Sequence, residues 1–170
     1  METDRLLLSW LSISSNLYLA YLGRMGLTQS VAEEIAQETF LRAWHKLESY
    51  DSSRAQFSTW LFTIARNLTL NEFERSANKL EVASDEMLQD YVCKRNLPAE
   101  ELSQKQQVQL LLAALRKLPL IDRSALALAY FQELDQATIA DIEGCTVNAI
   151  KVRLHRAKQK LRQLLEQHDE

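Results

Sequence analysis

Residues 137–165 read ATIADIEGCTVNAIKVRLHRAKQKLRQLL, and this stretch decides the fold. Its pattern is two helices joined by a tight turn at Gly144, with Thr146 placed to cap the second helix. On 3.6-residue spacing Ile150, Leu154, Ala157, Leu161 and Leu164 form one apolar stripe. The other side and flanks carry Asn148, Lys151, Arg153, His155, Arg156, Lys158, Gln159, Lys160 and Arg162, and no acid interrupts them before Glu166. A short helix, a glycine turn and a long basic helix make the pattern of a helix-turn-helix that reads duplex DNA. The competing reading is a solvated charged face, the usual fate of a charge run.

Outward from that stretch, composition agrees with a helical chain. Of 170 residues 46% are apolar and 25% charged, but only three are glycine and two proline, too few for the turns of a sheet-rich fold. The net charge of −3 conceals an asymmetry. Residues 1–100 hold ten Lys and Arg against fourteen Asp and Glu, whereas residues 116–165 hold nine against five. Positive charge is thus gathered in the last third, where a polyanion can be held. Cys93 and Cys145 lack metal or redox spacing and fit a reducing cytoplasm. The apolar residues 6–23, LLLSWLSISSNLYLAYLG, follow a head that is not basic and contain several serines, without a small-residue cleavage site after them. Leu7, Trp10, Leu11, Leu17, Tyr18 and Tyr21 keep helical spacing, so the segment reads as a first core helix rather than an export signal.

A turn around Gly23 and Gly26 follows, and Ser30 with Glu33 forms a capping box for a second helix. Its expected buried stripe is Ala32, Ile35, Ala36, Thr39, Phe40, Ala43, Trp44 and Leu47. Glu34, Gln37, Glu38, Leu41 and His45 lie opposite, and a leucine among acids suggests a face for a protein partner, although single exposed leucines are ordinary. After a polar loop at 48–56, Ser58 opens a third helix, STWLFTIARNLTLNEFER, with Trp60, Leu61, Ile64, Ala65 and Leu68 as its core face. Phe62, Arg66, Leu70 and Phe73 lie off that stripe, with Asn67 and Asn71 one turn apart near its edge. Aromatics beside arginine and amides suit stacking on and hydrogen bonding to unpaired bases; the plainer alternative is a helix that completes a small bundle. From Ser76 to Pro98 periodicity fades into a linker, with a short helix expected near 85–93. A new helix begins after Pro98 at Glu100 and Glu101, runs through Val108, Leu111, Leu112, Leu115 and Leu118, and stops at Pro119; another spans about Ile121 to Phe131.

No glycine-rich phosphate loop, paired His/Cys ligand set or nucleophile motif occurs, so neither catalysis, a metal nor a cofactor is expected. His45, His155 and His168 are isolated, and Glu33-Glu34 and Glu100-Glu101 are sequence neighbours that point apart on a helix.

Two blocks, in order, resemble one family. EEIAQETFLRAWHKLESYDSSRAQFSTWLFTIARNLTLNEFER (33–75) resembles region 2 of the extracytoplasmic-function (ECF) class of the sigma-70 family. LRKLPLIDRSALALAYFQELDQATIADIEGCTVNAIKVRLHRAKQKLRQLL (115–165) resembles its region 4. The resemblance implies an all-α protein of two small helical domains: region 2 at 1–78, a linker at 79–98 and region 4 at 99–170. It implies a cytoplasmic sigma factor that binds core RNA polymerase and directs promoter recognition and melting. The polymerase contacts would be the beta-prime coiled coil and the beta flap, with promoter DNA and an anti-sigma factor as further partners. By the same resemblance Glu34, Gln37, Glu38, Phe40 and Leu41 dock on polymerase. Asn67 and Asn71 read the melted minus-ten element, where a fitted pocket must offset a few kcal/mol of base extrusion, and Arg66 and Arg75 meet phosphates. Asn148, Lys151, Val152, Arg153, His155 and Arg156 fall where the family's recognition helix enters the major groove at minus thirty-five, while Lys158, Lys160 and Arg162 serve phosphates or solvent.

The chain departs from the family pattern at three places. Glu143 stands where a buried leucine is usual, which predicts either a less regular helix-turn-helix or an outward-turned glutamate. Cys145 replaces an aliphatic residue, and NEFERSANK (71–79) carries two glutamates where the family is rich in arginine. A stand-alone helix-turn-helix regulator is the alternative function, separable because it would bind duplex DNA without polymerase. An all-α interaction protein whose basic helix meets an acidic partner is a second, excluded by promoter binding that requires polymerase.

Overall fold

Seven α-helices carry the described part of the chain. The structure, a computed structural model, describes residues 18–78 and 100–167. Helix α1 (18–24) ends in a turn closed by Gly26, whose φ of +89° is a left-handed conformation that disfavours side chains. Helix α2 (Gln29–His45) leads through a single 3₁₀ turn (Leu47–Ser49) and a loop to α3 (Phe57–Asn78). Helix α4 (Glu100–Arg116) stops before Pro119, and α5 (Leu120–Leu126) continues into a π-helical turn (Ala127–Phe131). Helices α6 (Gln136–Glu143) and α7 (Val147–Glu166) form the helix-turn-helix. The expectations for Leu7, Trp10, Leu11 and Leu17, for the linker and its short helix, and for Cys93, Pro98 and His168 lie outside the described residues.

The turn before α7 forms as its residues require. Gly144 takes φ +64°, and its neighbour Cys145 returns an N–H to the Ala140 carbonyl at 3.0 Å, a Schellman-type stop. Thr146 then accepts from the Ala149 N–H at 3.2 Å and so caps α7. Ile150, Leu154 and Ala157 are buried, with Leu161 and Leu164 partly so, which is the expected stripe. At α2 the cap differs: Thr28, not Ser30, accepts from the Val31 N–H at 3.1 Å, and the helix starts one residue earlier than Ser30. Trp44, expected in the core, is 56% exposed, because the buried stripe of α2 narrows to Ala32, Ile35, Ala36, Thr39 and Ala43.

Phe62 is a second correction. It is buried, tilted against Tyr18 at 4.4 Å and edge-on to Tyr21 at 5.6 Å. Helix α1 and the turn after it supply the reason: Tyr18, Tyr21 and Leu22 of the helix and Met25 of the turn pack against the chain with almost no exposure, so α3 is covered on two sides instead of one. Each such side chain is worth about 1.5–3 kcal/mol of burial, which makes α1 a core element. The all-α, two-unit architecture is present, and its two cores are continuous: one apolar cluster runs from Tyr18 through α3, α5 and α6 to Ala157 in α7.

Candidate nucleic-acid interface

Helix α7 keeps its apolar stripe inward, so its opposite face is left to solvent. Asn148, Lys151, Val152, His155 and Arg156 are all exposed there, Val152 at 51%. Farther along, the Lys158 ammonium lies 5.0 Å from the centre of the Tyr130 ring, which the π-helical turn leaves half exposed. Upstream, Asp135 caps α6 by accepting from the Thr138 N–H at 2.7 Å, and that hydrogen bond holds its carboxyl below the ordinary 3.8.

On α3, Asn67, Asn71 and Arg75 are exposed, with Arg75 paired to Glu72 at 2.6 Å. On α2, Glu34, Gln37 and Leu41 face solvent, and Glu38 pairs with Arg42 at 2.6 Å. Phe40 is only partly buried, edge-on to Tyr18 at 6.0 Å, so it braces the face from behind. A shallow cleft of about 370 Å³ separates α2 from α3, lined among others by Glu34, Glu38, Asn71 and Arg75. Glu34 and Glu38 of the candidate docking face and Asn71 of the candidate base-reading pair therefore border the same depression, whereas Gln37, Phe40, Leu41 and Asn67 do not line it.

Two of the residues assigned to DNA are drawn inward. Glu143 is not turned out: its side chain is fully buried, and its Oε2 accepts from Arg66 Nη2 and from Arg153 Nη1, each at 3.0 Å. Its Oε1 accepts from the Ser124 hydroxyl at 2.6 Å, and Ser124 is hydrogen-bonded to the Tyr21 hydroxyl at 2.8 Å. Burial pushes the Tyr21 phenol well above its ordinary pKa, so it is neutral there. Arg66 also donates to Asn67 Oδ1 at 3.2 Å. One carboxylate thus joins α1, α3, α5, α6 and α7. Nearby, the buried Arg123 guanidinium donates to the carbonyls of Met25, Arg116 and Leu118. Sequence reasoning marked Glu143 only as a departure and did not mark Tyr21, Ser124 or Arg123 as polar partners; their interactions span up to 103 residues and leave no local signal.

Among the described residues no three His, Cys, Asp or Glu side chains converge as metal ligands, and no helix is long and apolar enough to cross a membrane.

Comparison with known proteins bears on these surfaces. Residues 14–79 match the family model for sigma-70 region 2, and residues 108–161 match that for sigma-70 region 4. Helices α2 and α3 lie in the first match and the helix-turn-helix in the second, so fold and site together define a sigma-70-family protein. The chain is 35% identical over 141 residues to the ECF RNA polymerase sigma factor SigW of Bacillus subtilis (strain 168), covering 79% of this chain and 75% of that one. It is 32% identical over 146 residues to the RNA polymerase sigma factor YlaC of the same organism, covering 85% and 83%. The chain belongs to the ECF class of the sigma-70 family and is an RNA polymerase sigma factor. This membership disfavours a stand-alone helix-turn-helix regulator.

Solved structures agree in fold. The sigma factor RpoE, crystallised with the anti-sigma factor NepR from Bartonella quintana, superposes with a TM-score of 0.73 at 22% identity, over 93% of this chain and 94% of that one. CnrH, solved with the cytosolic domain of CnrY, gives a TM-score of 0.65 at 24% identity, over 96% and 87%.

Proposed function

We propose that this sigma factor divides its work among three faces. The α2 face of Glu34, Gln37, Glu38 and Leu41, braced by Phe40, docks on the beta-prime coiled coil of core polymerase, while the second unit meets the beta flap. Helix α3 captures the opened minus-ten strand through Asn67 and Asn71, with Arg66 and Arg75 on phosphates. Helix α7 enters the major groove at minus thirty-five through Asn148, Lys151, Val152, Arg153, His155 and Arg156. Lys and arginine can read guanine edges there, and Val152 offers apolar contact to a thymine methyl. The domains run 1–78 and 99–170 with a linker at 79–98. Catalysis belongs to the polymerase, the setting is the cytoplasm, and an anti-sigma factor is the regulatory partner; two proteins of like fold were solved with such factors or their partner domains.

The observation that carries this reading is the exposed row on α7, Asn148, Lys151, Val152, His155 and Arg156, on a helix whose start is fixed by a left-handed glycine and a threonine cap. The test is gel filtration with core polymerase, followed by transcription-start mapping. The chain should co-elute with polymerase and bind promoter duplex only in its company; tight duplex binding alone without co-elution would sink the reading. Asn67→Ala should impair promoter opening while co-elution persists, and equal loss of both would remove Asn67 from the minus-ten site.

A further inference from the structure

Resting on that reading of α7, the one inward arginine of the helix acquires a role of its own. Arg153 Nη1 donates to Glu143 Oε2 at 3.0 Å, and the Ser124 hydroxyl donates to Glu143 Oε1 at 2.6 Å. Ser124 lies in α5, Glu143 ends α6 and Arg153 belongs to α7, so three helices of the second unit meet at one carboxylate. We infer that Arg153 is a positioning residue: through Glu143 it fixes the rotation of α7 about its own axis, and so decides which side chains of that helix face the base pairs, without itself touching DNA.

Place on the helix supports this independently of the ion pair. At about 100° per residue, Arg153 lies about 60° from the buried Ile150, on one flank of the apolar stripe. Asn148, Lys151, Val152, His155 and Arg156 lie about 100° or more from Ile150 on the same wheel. Burial agrees, for the Arg153 side chain is 15% exposed while those five residues are open to solvent. The pair is also suited to hold an angle. A guanidinium is a planar fork that meets a carboxylate in a defined direction, whereas apolar contacts have none. The Glu143 side chain is fully buried, so water screens its attraction for Arg153 far less than it screens a surface pair. Arg66 of α3 reaches the same oxygen from the first unit, but Ser124 and Arg153 share a unit with Glu143. The brace therefore travels with the helix-turn-helix, whatever lies against it from α3.

The experiment uses the full chain assembled with core polymerase, on a promoter found by start mapping and on copies of it with single base-pair changes at minus thirty-five. Arg153→Met removes the charge from a side chain of similar length; the double variant Arg153→Met with Glu143→Leu removes both charges. Arg153→Met should bind the promoter about tenfold more weakly, the scale of one spoiled base pair. It should also discriminate less at several base pairs together, because a turned helix moves its whole row. The slope of log affinity against log salt should stay that of the parent. The double variant should regain most of the affinity and discrimination, since well-packed apolar side chains replace a buried ion pair at little cost. A slope smaller by about one unit makes Arg153 a phosphate contact and overturns the inference. Discrimination lost at one base pair alone makes it a base contact and overturns the inference too. A lower urea midpoint with unchanged promoter binding leaves Arg153 purely structural, and a double variant no better than the single denies the route through Glu143; either result overturns it. Should Arg153→Met fail to fold, the double variant decides: near-parent discrimination with no arginine at 153 upholds the role, and lost discrimination overturns it. Run-off transcription separates the two readings. A parent holoenzyme that opens no promoter defeats the proposed function and this inference with it, whereas a parent that transcribes beside variants of the wrong pattern defeats this inference alone.

Discussion

Two buried charges cross between the helical units, and their partners differ in kind. Arg123 donates to the backbone carbonyls of Met25, Arg116 and Leu118. Burial, with the charge of Arg116 adding to it, pushes its pKa down to about 10, so it is cationic at neutral pH. Carbonyls are present whatever the side chains. Even the turn is shaped to this cation: a Cβ at Gly26 would lie 2.9 Å from Arg123 Nη1, on a backbone that already favours glycine. Glu143, by contrast, is held by the side chains of Arg66, Arg153 and Ser124. A cation seated on carbonyls is a joint fixed by the backbone, whereas an anion seated on two guanidinium groups depends on side chains alone.

That contrast can be broken or sharpened by experiment. Arg123→Met strands three carbonyls, and an unsatisfied buried acceptor costs about 1–3 kcal/mol. Urea unfolding should therefore lose about 3 kcal/mol or more, the largest effect in the molecule; a loss below about 1 kcal/mol would show that the joint is not fixed. Arg156→Ala concerns the outward counterpart of the inward Arg153. It should weaken promoter binding by about 1–3 kcal/mol if Arg156 makes a bidentate base contact, with no change in the unfolding midpoint. Unchanged promoter affinity would remove Arg156 from the site. Thr146→Ala should cost about 1 kcal/mol of stability by uncapping α7. Calorimetry with no shift in Tm would mean that the packing of the helix, not its cap, positions the exposed row.

What could be read from the sequence was local. The left-handed glycine, the threonine cap and the 3.6-residue stripe of α7 lie within a few residues of one another, and each states its own conformational need. Where local signals were degenerate, position was missed by two residues: Thr28 and Ser30 are both competent caps, and the helix takes the first. Phe62 escaped because a helix wheel anticipates one buried face, whereas α1 covers a second. Glu143 could be marked as unusual but not placed, since Arg66 lies 77 residues away and only the folded chain brings them together. The candidate site divides likewise. The exposed row on α7 follows from periodicity, and the inward turn of Arg66 and Arg153 does not.

The displaced expectation at Trp44 has a use of its own. This indole stands 56% exposed on α2, close to the equally exposed Leu41, while Trp60 is enclosed by the rings of Tyr50 and Phe57 at 5.2 and 5.6 Å. Among the described residues the first unit therefore carries a wet fluorophore on α2 and a drier one among aromatics. Water around an indole sets the colour of its emission, so Trp44 is a built-in optical reporter for whatever covers the α2 face, with no label attached.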